Sequence, residues 1–333
     1  MAEHCKNPTL ILGVQEYTKK GIAYLAAGGI QDKEEAIQSF ISAGTIAKSL
    51  YSSKDVSNSY FKGAYAIAMD IAAQQSLAHK HVESGDRYSW AANFAKDHLN
   101  NETATASASM GDSEYRYQAQ KLLRGLKENF SSSATVGRDT RDAGLLLRSG
   151  AMLVKAHGAN SQDDIDKQLS TAFDLLLGFD HKYEALSTIP HMSKEMQPGK
   201  LNDFADYIKY RSTKTTSEEK ALIFALDCGK LGQWIMAAPA LLMFAKSLSD
   251  VHAKKFFTGM SADYFANAAS SQEKTGIMGQ RKQVSELYEQ ASLICQSIHD
   301  PRFNELSEKS KKALDSYNSW QASKKQQQVI EVK

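Results

Sequence analysis

The best polar cluster in the chain is His79-Lys80-His81-Val82-Glu83-Ser84-Gly85-Asp86, which places two imidazoles and two carboxylates within eight residues. Those are metal-ligand side-chain types. On a helix, positions 79 and 81 point about 200° apart, whereas Glu83 shares the face of His79. The spacing therefore offers one His–carboxylate pair rather than a chelating set. A polar helix end, with its histidines near the negative end of the helix dipole, is the favoured reading. A second cluster, Asp180-His181 with Glu184, is followed by His191 ten residues on. A His–carboxylate pair can act as a general base, and helix capping or surface charge competes with that role. HExxH, GxxxxGK[ST] and GxGxxG are absent, and no histidine has a glutamate three residues before it. Gly111-Asp112-Ser113 and Gly259-Met260-Ser261 lack the second glycine of a nucleophile elbow. No metal site, cofactor or catalytic residue is assigned on these motifs. An all-helical enzyme would need residues such as His157, His181 and Glu184 to converge in space.

Binding chemistry has better candidates. Tyr207, Tyr210 and Arg211 lie close together, and tyrosine and arginine are common at interface hot spots. Tyr115, Arg116 and Tyr117 lie on neighbouring helix faces, with packing between helices as the competing role. Lys309, Lys311 and Lys312 form a basic cluster that suits acidic protein or lipid, or a solvated face.

The elements that must position these groups read as helices throughout. The chain has five prolines in 333 residues, and proline breaks helix interiors. Apolar residues recur at spacings of three and four, as in Tyr115, Ala119, Leu122, Leu126 and Phe130. The same spacing runs through Val284, Leu287, Ala291, Ile294 and Ile298. No stretch alternates with β-branched residues. The pattern predicts helices near 9–27, 33–50, 55–83, 86–99, 112–130, 139–157, 162–177, 181–187, 201–210, 217–230, 232–247, 251–271, 281–299 and 302–325. Asp32 with Glu35, and Thr216 with Glu219, read as capping boxes. A seven-residue repeat from Phe303 through Leu306, Ser310, Ala313 and Tyr317 to Trp320 reads as a last helix packed on the body. Residues 100–111 and 131–137 read as loops.

These elements suggest a division into 1–187, an N-terminal helical-hairpin region; 188–200, a hinge with two prolines; 201–325, a C-terminal helical region; and 326–333, a flexible tail. The apolar stretch Leu231–Ala245 carries no charge, is too short to span a bilayer and holds Pro239. It reads as a buried, kinked core helix.

Short connections favour antiparallel helix hairpins, and helix-loop-helix units recur every 35–50 residues. The unit at 33–83 carries Ala36-Ile37-Gln38-Ser39-Phe40 and Ala43-Gly44-Thr45-Ile46-Ala47, small residues that let a second helix approach closely. Val56-Ser57-Asn58-Ser59-Tyr60 is echoed by Val284-Ser285-Glu286-Leu287-Tyr288. In these features the chain resembles the tetratricopeptide-like (TPR-like) α-helical repeat proteins, especially the long-helix variety of the soluble NSF attachment proteins. The resemblance covers mainly 33–83 and 251–299, and the strict 34-residue consensus is not readable. It implies an all-α fold of antiparallel hairpins stacked as an α-solenoid or elongated helical bundle, and it assigns no functional residue.

Composition bounds the rest. Forty Lys+Arg balance 38 Asp+Glu, so there is no concentrated basic footprint for nucleic acid. Cys5, Cys228 and Cys295 are odd in number and far apart, which argues against a disulfide framework. The N-terminus lacks a signal-peptide pattern, and the expectation is a soluble cytoplasmic chain. The leading expectation is a helical-repeat scaffold that binds a peptide or partner helix on a concave surface. An all-α enzyme with a buried polar site, and a secreted bacterial effector that binds a host protein or membrane surface, are the alternatives.

Overall fold

The computed structural model describes residues 8–50, 54–128, 133–211 and 215–331. Every regular element among them is helical. The chain divides into two compact units, Met1–Met196 and Gln197–Lys333.

The first unit contains α1 (Pro8–Ala27), α2 (Ile30–Leu50), α3 (Lys54–Leu77), α4 (His81–His98), α5 (Asn101–Glu128), α6 (Ser133–His157), α7 (Gln162–Gly178) and the short α8 (Lys182–Leu186), followed by a 3-10 turn at Ile189–His191. Each helix packs on the next in sequence. Side chains also link helices two apart. Tyr65 on α3 lies 2.7 Å from the Ser107 hydroxyl on α5, Arg87 on α4 pairs with Glu34 on α2, and Arg141 on α6 pairs with Glu184 on α8. Contact with both the next helix and the next but one is how stacked hairpins bury a continuous core.

The seams are lined by alanine. Ala64, Ala68, Ala91 and Ala92 are fully buried, and larger side chains fill the spaces between them. Phe61, Phe94 and His98 form one aromatic cluster, with the His98 ring 4.5 Å from Phe61 and 4.7 Å from Phe94. Trp90 stacks on Phe94 at 4.9 Å. Close approach needs glycine at Gly85, where a Cβ would lie 2.7 Å from the Tyr115 ring.

Several local expectations change. Residues 100–111 are not a loop. Asn100 precedes α5 and accepts the Thr103 N–H, and 101–111 form the first turns of α5, with Ala104, Ser107 and Ala108 buried. Small residues that look like loop composition are here the side of a helix that must fit a narrow seam. Of 131–137, residues 131–132 lie outside the described residues, and the remainder opens α6. Asp32 is not an N-cap. Helix α2 starts at Ile30, and the Asp32 carboxylate accepts a bond from Gly29 N–H at 3.2 Å.

The second unit contains α9 (Gln197–Tyr210), α10 (Ser217–Lys230), α11 (Trp234–Ser247), α12 (Val251–Lys274), a 3-10 turn at Met278–Gln280, α13 (Arg281–Ser297) and α14 (Phe303–Glu331). The Thr216–Glu219 capping box forms in both directions, at 3.2 Å and 3.0 Å. The free thiols of Cys228 and Cys295 are buried, and burial raises the Cys295 pKa. Cys5 lies outside the described residues. Helix α14 starts at Phe303, after a turn at Pro301, and continues through 326–331. Residues 332–333 lie outside the described residues.

Helix α11 departs from the core-helix expectation on one side. Ala237, Ala238, Leu241 and Phe244 are buried, yet Pro239 is exposed, as are Ile235, Met236 and Met243. Among the described residues, no helix is long and apolar enough to cross a membrane.

Candidate functional site

The last helix carries the candidate site. One stripe of α14, Leu306, Ser310 and Ala313, is buried against α13. Ser310 secures that seam by donating to the Ser285 carbonyl at 2.9 Å. The helix entry is held by Arg302, whose guanidinium pairs with Asp300 at 2.7 Å and also with Asp263 on α12. Arg302 holds the Asp300 carboxyl below its ordinary range by hydrogen bonding to it.

Beside the buried stripe runs an open cleft of 670 Å³. Its lining includes Met278 from the 3-10 turn and Glu308, Lys311, Lys312, Asp315 and Trp320 from α14. Trp320 supplies the large apolar surface. Its ring edge lies against Gly279, and the Lys324 ammonium sits 4.5 Å from its centroid, a cation–π distance. Ser316, Ser319 and Ser323 also line the cleft, each hydroxyl donating to the carbonyl four residues earlier. Their oxygen lone pairs remain able to accept.

Of the basic cluster, Lys309 stands apart from the other two. It pairs with Glu305 at 2.6 Å and lies 6.0 Å from the centre of the Tyr288 ring. Lys311 and Lys312 are exposed and line the cleft, and neither forms an ion pair among the described residues. Tyr207, Tyr210 and Arg211 belong to α9 and its end, and none of them lines the cleft. Tyr207 is half-buried, while Tyr210 is 81% exposed.

The histidine clusters resolve differently from the one-helix picture. His79 is not on a helix with Glu83. It sits in the turn after α3 with φ of 58°, a left-handed conformation. His81 opens α4 rather than closing a helix. It is buried, its Nδ1 lies 2.6 Å from Glu114 on α5, and Tyr117 covers its ring at 4.4 Å. Ser76 on α3 donates to the other Glu114 oxygen at 2.7 Å. Tyr115 donates to Asp86 at 2.6 Å, and burial followed by that carboxylate pushes its phenol pKa upward.

The three candidate enzyme residues have separate environments. His181 Nε2 lies 3.2 Å from the Gly137 carbonyl, and Glu184 pairs with Arg141 at 3.0 Å. Both ring nitrogens of His157 are buried without a hydrogen-bond partner. Among the described residues, no group of three or more His, Cys, Asp or Glu side chains is placed to hold a metal ion.

Sequence reasoning missed Trp320 as a site residue because its place in the seven-residue repeat marked it for the core. Lys324, four residues later on the same face, is the local signal that its ring is also accessible. It missed Glu114 and Gln168 because their partners are on other helices. No protein-family model matches the chain, and no curated protein matches it significantly.

Proposed function

We propose that the chain is a cytoplasmic protein-interaction scaffold of the TPR-like helical-repeat type, with the α14 cleft as its peptide-binding surface. The cleft combines an aromatic anchor, Trp320, with Lys311 and Lys312, which form no ion pair among the described residues, and with Glu308 and Asp315 in the same lining. Tryptophan anchors and a polar rim are the usual anatomy of a protein-binding patch. A peptide or partner helix that presents an apolar side chain to Trp320 and carboxylates to the two lysines fits this chemistry. The observation that carries the reading is the placement of Lys311 and Lys312 beside Trp320 in one open cleft.

A random peptide library displayed on phage, selected on the full chain, tests it. Counter-selection uses a W320A/K311E/K312E variant whose folding is checked by circular dichroism. Enrichment of acidic–apolar peptides on the wild type alone is the expected result. Equal enrichment on both proteins, or none on the wild type, overturns the reading.

A further inference from the structure

Helix α11 is apolar on both sides. Successive residues of a helix turn by about 100°, which places Ile235, Met236, Pro239, Leu242 and Met243 within an arc of about 120°. Four of these five are exposed and Leu242 is half-buried, while the opposite arc is core. A helix that is hydrophobic all round is ordinarily buried, so an outward stripe of this kind calls for a covering surface. Leu231, just before the helix, is 73% exposed.

The charge around the stripe identifies what covers it. Lys230 and Lys246 stand at its two ends, both exposed, and no Asp or Glu occurs between Asp227 and Asp250. The two framing carboxylates are already engaged. Asp227 pairs with Lys209 at 3.0 Å, and Asp250 accepts the Ala253 N–H at the start of α12. Lys254, in the first turn of the following helix α12, is exposed as well. Neither Lys230, Lys246 nor Lys254 forms an ion pair among the described residues. An apolar strip with uncompensated cations at its ends is complementary to the boundary between anionic headgroups and acyl chains. The helix has 14 residues, and its length of ~21 Å is short of the ~30 Å of a bilayer core, so it lies in the interface rather than across it.

We infer that the outward face of α11 docks on an anionic lipid surface, with Ile235, Met236 and Met243 entering the headgroup–acyl boundary and Lys230 and Lys246 contacting lipid phosphates and carboxylates. The surface is separate from the α14 cleft and does not depend on the peptide-binding reading.

Co-flotation of the full chain with vesicles tests this, using phosphatidylcholine alone and phosphatidylcholine mixed with phosphatidylserine. Binding to the mixed vesicles, weakened by added salt, is the expected result. K230Q/K246Q lowers the affinity by about fivefold for each lysine removed. M236E/M243E abolishes binding while leaving the helical circular dichroism and melting transition unchanged, because both side chains are half exposed. Equal binding to both vesicle types, undiminished binding of M236E/M243E, or no binding of the wild type overturns the inference. Analytical ultracentrifugation separates one further outcome. A dimer that M236E/M243E dissociates, with no vesicle binding, assigns the stripe to a second copy of the chain and overturns the lipid assignment.

Discussion

Gln168 on α7 donates a 2.8 Å hydrogen bond to Asp112 on α5, across a gap that exists because position 150 on α6 is glycine. The same amide donates to the Leu147 carbonyl of α6 at 2.8 Å, and the second Asp112 oxygen pairs with Arg116 at 2.7 Å. Three consecutive helices are thus joined through the Gln168 amide, which bonds the buried Asp112 carboxylate of α5 and the Leu147 carbonyl of α6. Asp112→Ala removes the acceptor for a buried N–H and for a half-exposed guanidinium. Such orphaning costs about 2–3 kcal/mol. Gly150→Ala drives a Cβ into Asp112 and costs about 1–3 kcal/mol. Urea unfolding of the three proteins, with an unchanged denaturant slope, checks both values.

Glycines in long helices separate into two kinds. A Cβ at Gly85 meets the Tyr115 ring, whereas nothing lies within 4 Å of one at Gly63 in α3. Gly85→Ala therefore destabilises by about 1–3 kcal/mol through overpacking. Gly63→Ala stabilises by about 0.5–1 kcal/mol through lost unfolded-state entropy and better helix propensity. Thermal melting of the two variants should shift in opposite directions.

His157 makes stability fall in mild acid. Burial pushes its pKa below the ordinary histidine value of 6.5, and the Lys96 charge lowers it further. Between that depressed pKa and 6.5 the unfolded chain binds more protons than the folded one, so stability rises with pH there. The His157 contribution is fully present above pH 6.5 and is lost as pH falls through the folded-state pKa. His157→Leu removes this slope, and at neutral pH it costs little because it also removes two unpartnered ring nitrogens. Urea midpoints of wild type and variant, measured from neutral pH down to about pH 5, read the difference.

Thr216 caps α10 through a 3.2 Å bond to the Glu219 N–H, and Glu219 returns a 3.0 Å bond while itself buried. Thr216→Ala costs about 1 kcal/mol. The loss should appear as a lower urea midpoint without loss of helical signal at neutral pH.

Much of this architecture is legible from local spacing. The Thr216–Glu219 box and the Leu306–Ser310–Ala313 seam depend on residues a few positions apart, and they form as their spacing predicts. Residues 100–111 were illegible for a physical reason. Alanine and serine suit a loop by polarity and a tight helical seam by volume, and only neighbours such as Tyr65 and Leu153 decide between the two. The site was half legible. Lys311 and Lys312 announce charge, but whether each lysine faces a cleft or a glutamate depends on Glu305, Met278 and Trp320 together.

What the sequence determined alone is the all-helical class, the order of the helices and most of their faces, because helix periodicity is set by backbone geometry within a few residues. The tertiary structure decided which polar groups meet, since His81 with Glu114 and Asp112 with Gln168 lie 33 and 56 residues apart. It also decided that α11 shows one apolar face outward. Periodicity finds apolar faces by their contrast with polar ones, and a helix apolar all round offers no contrast to read.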